Sequence, residues 1–425
     1  MVEPAPAEGA PRERQVVLVT GASGLVGRAL RAVVEEELPS DGGEWVWLRS
    51  ADGDLCNAAD VAALFDKHRP THVVHLAAHV GGLFANMARG CATAMSKHAS
   101  QAEAAAAGEQ PAVLPAQHRH VRAKSNCCSA LLQSTVALPK TPPTALRRLR
   151  GAYRRAIPRI YARRRPCRNT NVLNQCVKHG ASAPGCAAMR KLTQTPVCAG
   201  VRKLVSCLST CIFPDATTYP IDESMIHNGP PHPSNEGYSY AKRMLEVQSR
   251  LYRGAHGLDA GCIVPTNVYG AHDNFSLADS HVIPGLLHKC LLAQRDGTPF
   301  TVAGSGAPRR QFIYAPDLAR LTLAVLRRYS DAAPLILAPD ADDEVSIADV
   351  AAGVAAALRF DGRLAFDAAR ADGQLRKTAA NGKLRALLAS GELGEQLRGF
   401  AFTPLKQGLE ETAAWLRAHY PNVRT

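Results

Sequence analysis

Gln15-Val-Val-Leu-Val-Thr20 runs without a break into Gly21-Ala22-Ser23-Gly24-Leu25-Val26-Gly27, and this junction decides the fold. The first run is apolar and β-branched, which predicts a short buried strand. The glycines predict a tight turn that lets backbone approach a pyrophosphate, with free N–H groups of the next helix turned towards it. Outward from there, Leu25 to Glu37 has helical spacing and Glu44-Trp-Val-Trp-Leu48 predicts a second strand. Ala58 to His68 reads as a helix, and Thr71-His-Val-Val-His-Leu76 as a third strand entering Ala77 and Ala78. Strands alternating with helices predict an α/β class, with a Rossmann-type, doubly wound parallel sheet.

The pattern breaks between about Ala88 and Pro166, where no strand is legible. Ala102 to Ala107 is alanine except for Glu103, and Ala145 to Arg165 is dense in arginine. Such a stretch has little apolar surface to offset ordering entropy, so residues 89–167 are expected to be a disordered basic insertion. A shorter insertion of the same kind is expected at 182–199, after a helix end at Asn171-Val-Leu-Asn-Gln-Cys176. Val201-Arg-Lys-Leu-Val-Ser-Cys-Leu-Ser209 then predicts a strand that delivers Ser209 and Cys211 at its carboxyl end. A helix through Tyr238 to about Tyr252 follows, and Gly261 to Tyr269 reads as one more buried strand. Shorter pieces come after it: helices near 281–293, 316–328, 346–358 and 405–418, and strands at Phe300 to Val302 and Leu335 to Leu337. We therefore expect residues 14–88 and 168–270 to form the dinucleotide-binding domain, and 271–425 mainly a smaller α/β substrate domain.

With 425 residues and 46% hydrophobic content the chain has ample material for buried cores. The net charge of +13 suggests nucleic acid or membrane at first sight, but its distribution argues otherwise. Residues 88–168 hold 16 lysines and arginines against Glu103 and Glu109, and the rest of the chain is close to neutral. No apolar run is long enough to span a membrane, and Met1 to Arg14 lacks the apolar stretch of a signal peptide. The twelve cysteines include no metal-type CxxC pair, so no metal is expected and a reducing cytoplasm is the expected location.

The chemistry is concentrated in Tyr238-Ser-Tyr-Ala-Lys242. A tyrosine four residues before a lysine shares its helical face, whereas Tyr240 points elsewhere. Held against a nicotinamide cofactor, such a lysine lowers the phenol's pKa and makes it a proton donor near neutrality. Ser209 would hydrogen-bond a substrate carbonyl and Lys242 the nicotinamide ribose; the plainer reading of Ser209 is a strand-end hydroxyl tied to backbone. Together with the glycine turn, this set marks a short-chain dehydrogenase/reductase site. The second strand ends Leu48-Arg49-Ser50 without a carboxylate, so Arg49 suits the 2′-phosphate of NADP, its alternative being a solvated surface arginine. Asp54 and Leu55 fall beside the adenine on position alone. Cys211 and His281 could exchange protons at carbons next to a ketone. From the residues alone, a small core cysteine and an ordinary helix-start histidine serve equally well.

These residues and their flanks resemble the GDP-L-fucose synthase family. The matching runs include Val19 to Gly27, Val205-Ser-Cys-Leu-Ser-Thr-Cys-Ile-Phe-Pro214, Tyr219-Pro-Ile-Asp-Glu223 and Gly237-Tyr-Ser-Tyr-Ala-Lys-Arg243. Further on come Pro265 to Gly270, His272 to Phe275, His281-Val-Ile-Pro284, Pro308-Arg-Arg-Gln-Phe312 and Asp372-Gly-Gln374. The resemblance implies NADPH-dependent 3,5-epimerisation and 4-reduction of GDP-4-keto-6-deoxy-D-mannose by a homodimer. It implies that Cys211 and His281 are the acid/base pair and that Tyr238 is the acid of the reduction. Strand ends at Leu76, Ala77 and Ala78, at Cys207, Leu208, Ser209 and Thr210, and at Pro265, Thr266, Asn267 and Val268 would flank the cofactor, with His281 near them. Lys289, Arg310 (rather than Arg309) and Asp372 would hold the GDP-sugar.

The chain departs from the family at Ala303, usually a tryptophan against the substrate, at Ala271, usually a proline, and at the two insertions. Read-through of untranslated sequence, a genuine disordered insertion and a basic binding module all fit the insertions' composition. Another nucleotide-sugar 4-reductase or 4-epimerase, or an inactive chain with a basic binding tail, are the competing functional readings.

Overall fold

Val16 to Thr20 is buried at every position, as its unbroken apolar run requires, and forms the strand around which the others assemble. The computed structural model of the chain describes residues 14–38, 43–78, 171–172, 175, 200–370 and 372–425. The insertions expected at 89–167 and 182–199 lie outside the described residues. Asn171, Val172 and Gln175 are helical, and Asn171 Nδ2 donates to the carbonyl of Leu55 at 3.0 Å.

In chain order the described elements begin with β1 (Val16–Thr20), α1 (Leu25–Glu37), β2 (Glu44–Trp47), α2 (Ala58–His68) and β3 (His72–His75). They continue with β4 (Lys203–Cys207), α3 (Glu236–His256), β5 (Asp259–Pro265), β6 (Asn267–Tyr269), α4 (Val282–Asp296), β7 (Phe300–Ala303), β8 (Arg309–Arg310) and β9 (Phe312–Tyr314). The last are α5 (Ala315–Arg328), β10 (Leu335–Leu337), β11 (Val345–Ser346), α6 (Ile347–Ala357), β12 (Leu364–Asp367), α7 (Gly382–Ser390) and α8 (Leu405–His419). Six strands make one parallel sheet in the order β10-β5-β4-β3-β1-β2. Parallel strands are joined by crossovers, so the α/β, doubly wound architecture read from the first hundred residues is the one observed.

Side chains alternate across β1. Leu18 joins one core with Val73, Leu204 and Val264, closed by Val61, Leu64 and Phe65 of α2 and Leu245 of α3. Val17 and Val19 join the opposite core with Val74, Val205 and Ile263, closed by Leu30 and Val33 of α1 and Leu318 and Val325 of α5. Burying each such valine or leucine stabilises by about 1.5–3 kcal/mol relative to exposure. A third core gathers Phe300 and Val302 of β7, Leu287 of α4, Val350 and Val354 of α6, and Leu409 and Leu416 of α8.

One reading needs correction. The strand expected from Gly261 to Tyr269 is two strands. Thr266 N still donates to Leu337 O, but Asn267 N turns to Gln311 O, so β6 leaves the large sheet and pairs with β9. Beyond residue 270 the chain returns to the large sheet. β10 completes the sheet beside β5, and α5 closes the core that α1 shares. An apolar strand such as Leu335-Ile-Leu337 can pair only where an edge is open, and β5 provided it. Helix α7 was not foreseen; Leu384 and Leu388 pack it into the same core.

Gln311, 1% exposed, ties these returns together. Its amide nitrogen reaches the carbonyls of Pro339, Asp340 and Ala379, and its oxygen accepts from Ala379 N at 2.8 Å. Leucine has the size but no polar atoms, and would leave buried backbone groups unpaired. Gln311→Leu is expected to cost about 2–4 kcal/mol of unfolding free energy in a denaturant titration.

Candidate active site

The carboxyl ends of the parallel strands lie along one edge of the sheet, and the residues predicted at strand ends follow them there. At the end of β1, Gly21 has φ of 75°, and a Cβ there would lie 2.7 Å from Ala77 N. A Cβ on Gly27 would meet Ala22 Cα and Gly21 O at 2.5 Å, so α1 seats directly on the turn. Gly24 donates to Gly21 O at 3.1 Å and is extended (φ −81°, ψ 175°) as it caps α1. The first N–H groups of the helix, from Leu25 and Val26 on, have no intrahelical partner. Ala22 and Ser23 complete the turn. Leu76 N donates to Thr20 O, and Ala77 N to Thr20 Oγ1 at 3.3 Å, which holds Leu76, Ala77 and Ala78 alongside. This is backbone brought close on all sides, a cradle that any side chain would fill.

Past β2, Arg49 is largely exposed and stands 3.3 Å from Asp52, whose carboxylate also accepts the Arg49 backbone N–H at 2.6 Å. Those two hydrogen bonds from Arg49, the backbone one first, hold Asp52 below the usual carboxylate range. Asp54 is used locally, accepting from Cys56 N at 2.9 Å, and Leu55 is the residue gripped by Asn171.

The chemical groups come from β4 and α3. Lys242 Nζ donates to Cys207 O at 2.6 Å and lies 6.0 Å from the ring centre of Tyr238. Burial lowers the lysine's pKa. Ser209 Oγ accepts from Cys211 N at 3.3 Å, capping the turn Thr210–Ile212, and its hydroxyl acts to lower the pKa of both the Tyr238 phenol and the Cys211 thiol. The backbone-tied and chemical readings of Ser209 thus hold together. The lowering expected of the Tyr238 phenol is not produced by the chain itself. Burial pushes it up, the Cys211 and Cys207 thiols add to that, and Ser209 alone opposes. Leu208 is buried, while Tyr238 and Cys211 are half-buried, as befits groups at the floor of a cleft. Tyr240 lies at the surface under the Arg243 guanidinium.

Cys211 is the most strongly surrounded group. Lys377 Nζ lies 3.3 Å from its sulfur. Burial acts to raise the thiol, but Lys377, the Ser209 hydroxyl and Arg310 together outweigh it, and the net shift is downward. Arg310 donates from Nη1 to Arg309 O at 2.7 Å and is near enough for its charge to act on Cys211, whereas Arg309 pairs with Glu344. Burial is the main influence lowering the Arg310 pKa, opposed by Cys211 and Glu344.

His281 immediately precedes α4; its ring is open to solvent, yet enough protein lies around it that desolvation lowers its pKa. Among the described residues no hydrogen bond joins it to Cys211. Lys289, two turns on, is half-buried, and burial and then the charge of Arg370 lower its pKa. Asp372 spends both oxygens on Ser305, accepting from its N–H at 3.0 Å and its hydroxyl at 2.6 Å. Ala303 ends β7 with only a methyl group at the position discussed above.

Pro265 ends β5, Thr266 is buried, and Asn267 Nδ2 donates to Gln311 O at 2.8 Å with Val268 beyond it in β6. Among the described residues no group of three histidine, cysteine or acidic side chains is placed to hold a metal ion.

Sequence reasoning missed Lys377. It lies five residues past Asp372, beyond the Asp372-Gly-Gln374 run that was matched, and no periodicity marks it. Tyr219 was seen only as part of a motif. Its hydroxyl donates to Arg376 O at 2.8 Å and accepts from Gln374 Nε2 at 3.3 Å, fastening the segment that carries Lys377.

Comparison with known proteins agrees with this geometry. The sequence model of the NAD dependent epimerase/dehydratase family matches residues 17–128 and 186–336. The chain is 38% identical to GDP-L-fucose synthase of Dictyostelium discoideum over 411 residues, covering 97% of this chain and 98% of that one. It is also 38% identical to the probable GDP-L-fucose synthase of Drosophila melanogaster, over 96% of this chain and 99% of the other. A crystal structure of a GDP-L-fucose synthetase from Naegleria fowleri bound to NADP superposes with a TM-score of 0.68 at 33% identity, covering 97% of this chain and 96% of that one. A glycine cradle, a Ser–Tyr–Lys set and a thiol against two cations occur here in a chain similar to these relatives over nearly its whole length, and the chain belongs to the GDP-L-fucose synthases of the NAD dependent epimerase/dehydratase family.

Proposed function

We propose that this chain converts GDP-4-keto-6-deoxy-D-mannose to GDP-L-fucose by 3,5-epimerisation followed by NADPH-dependent 4-reduction. The observation that carries the reading is the Cys211 thiol, 3.3 Å from Lys377, with its backbone N–H on Ser209 Oγ and its charge acting on Tyr238. A simple 4-reductase needs only the phenol, the lysine and the serine. A second group with a lowered pKa in the same cleft adds proton transfer at carbon.

The cradle of Gly21, Gly24 and Gly27 fits a dinucleotide pyrophosphate, because side chains are excluded where the phosphates would lie. Arg49 would meet the 2′-phosphate, and Leu76 to Ala78, Cys207 to Thr210 and Pro265 to Val268 would border the rest. Bound NADPH would supply the hydride.

Within the chain, Cys211 as thiolate takes a proton from the carbon beside the ketone. Ser209 and Tyr238 hold the ketone oxygen as negative charge develops on it. His281 returns a proton from the other side; its lowered pKa makes the imidazolium a stronger acid. Tyr238 then gives its proton to the C4 oxygen, and Lys242, anchored on Cys207 O, holds the nicotinamide ribose. Arg310 suits the substrate pyrophosphate, with Lys289 and Asp372 further along the same cleft.

We further propose the division of labour expected above, residues 14–88 and 168–270 for the cofactor and mainly 271–425 for the sugar nucleotide, with α5 and β10 lent back to the sheet. The proposed location is the cytoplasm: none of Cys56, Cys207, Cys211, Cys262 and Cys290 forms a disulfide, and no described helix is long and apolar enough to cross a membrane. The proposed assembly is a homodimer. On α3, Tyr240, Met244 and Leu251 form an exposed apolar stripe at helical spacing.

In deuterated water, substrate and NADPH should yield oxidised cofactor and a product labelled at C3 and C5. Cys211→Ala should abolish the labelling, whereas Tyr238→Phe should keep it and slow NADPH oxidation by about 10²–10⁴-fold. Oxidation without label would reduce the chain to a 4-reductase. Leu251→Glu should halve the mass seen in sedimentation, and an unchanged mass would remove α3 as the interface.

A further inference from the structure

Glu344 is 4% exposed and carries a carboxylate, so its partners define what it is for. One oxygen accepts from the Thr378 hydroxyl at 2.6 Å, and the other stands 3.4 Å from Arg376 Nε and 3.5 Å from Arg309 Nε. Arg309 also donates to the Glu344 carbonyl at 2.5 Å, and Arg376 to Thr378 Oγ1 at 2.7 Å. These partners bracket the two cations that face Cys211. Arg376 and Thr378 flank Lys377, and Arg309 precedes Arg310.

One segment is the strand β8, and the other leads into a bridge between Ala379 and Ile221. Arg309 and Arg310 pair with Ser346 and Val345 in the β8–β11 ladder, and Thr378 to Ala380 exchange backbone hydrogen bonds with Ile221. Arg309 N donates to Leu375 O at 2.8 Å, which joins one segment to the other. In extended chain, neighbours point to opposite sides. Glu344 grips positions 309, 376 and 378, while Lys377, between the last two, reaches the thiol instead.

We infer that Glu344 is a positioning residue for Cys211, aiming Lys377 and Arg310 at its sulfur by holding their sequence neighbours. The inference rests on Cys211 being the reactive thiol of the proposed epimerisation, but its readout is the acidity of the thiol itself. The groups around Cys211 are Lys377, Arg310, Ser209 and Tyr238; those around Glu344 are Arg309, Arg376 and Thr378, and the charge of Glu344 also acts on Arg310.

The sign of the effect separates positioning from simple charge. As a bare negative charge, Glu344 would raise the pKa of the thiol, so its removal would lower it. As a positioning residue its removal frees two cations, and the thiol pKa rises. The experiment is the pH dependence of iodoacetamide alkylation of the full chain, read by mass spectrometry on the peptide containing Cys211.

Glu344→Gln should move the midpoint up by about half a pH unit or more. Lys377→Met should move it up as well, and adding Glu344→Gln to that variant should shift it by less than in the wild-type background. Thr378→Val, close in shape and neutral in charge, should give a smaller upward shift, and it decides the matter if Glu344→Gln does not fold. A midpoint unchanged or lowered in a folded Glu344→Gln or Thr378→Val variant overturns the inference, as does full additivity with Lys377→Met. Upward shifts without deuterium incorporation at C3 and C5 would sink the proposed reaction and leave the role of Glu344 standing.

Discussion

Parallel strands cannot be joined by hairpins. Each must be followed by a crossover that returns the chain to the same end of the sheet, and so the carboxyl ends of all six strands share one edge. That constraint assembles the site. It sets the glycine turn after β1 beside Leu76 to Ala78 after β3, and Cys207 to Cys211 after β4 beside Pro265 to Asn267 after β5. Residues as far apart in the chain as His75 and Ser206 meet because their strands are neighbours and point the same way.

The edge collects charge that would be costly to bury unpaired, and the fold deals with each group by a specific contact. Lys242 reaches the Cys207 carbonyl, Lys377 meets the Cys211 sulfur, and Glu344 gathers two arginines and a threonine hydroxyl. The same contacts tune the chemistry. Burial alone would raise the pKa of both the thiol and the phenol. It does so for Tyr238, whereas at Cys211 two cations and a hydroxyl reverse it. Two neighbouring acids are thereby driven in opposite directions, which suits one to give a proton and the other to take one.

The third core and the second half of the chain act as a clamp. The chain turns out of the large sheet at Thr266 and returns at β10, and the Gln311 side chain fastens the return with hydrogen bonds to two segments, Pro339-Asp340 and Ala379. Asn267, on the cofactor side, donates to the backbone of that same residue. Cofactor-side and substrate-side residues are therefore not independently placed.

Local pattern sufficed wherever the determinant was local. The strand–glycine–helix junction, the period of α1 and α2, the strand ending at Cys207 and the four-residue spacing of Tyr238 and Lys242 are short-range facts of sequence, and the structure repeats them to within a few residues. What escaped was whatever depended on a partner distant in the chain. The break at Thr266 is caused by Gln311, the return of β10 by an open edge at β5, and the role of Lys377 by a sulfur 166 residues earlier. Arg309 and Arg310 are identical in type and adjacent in sequence, yet Arg309 pairs with the buried carboxylate of Glu344 while the charge of Arg310 also acts on Cys211. The sequence by itself determined the class of fold and the kinds of chemical group on hand, because hydrophobic period and glycine geometry act over a few residues. Tertiary structure alone decided which charges meet, since a Coulomb contact depends on distance in space and leaves no trace in spacing along the chain.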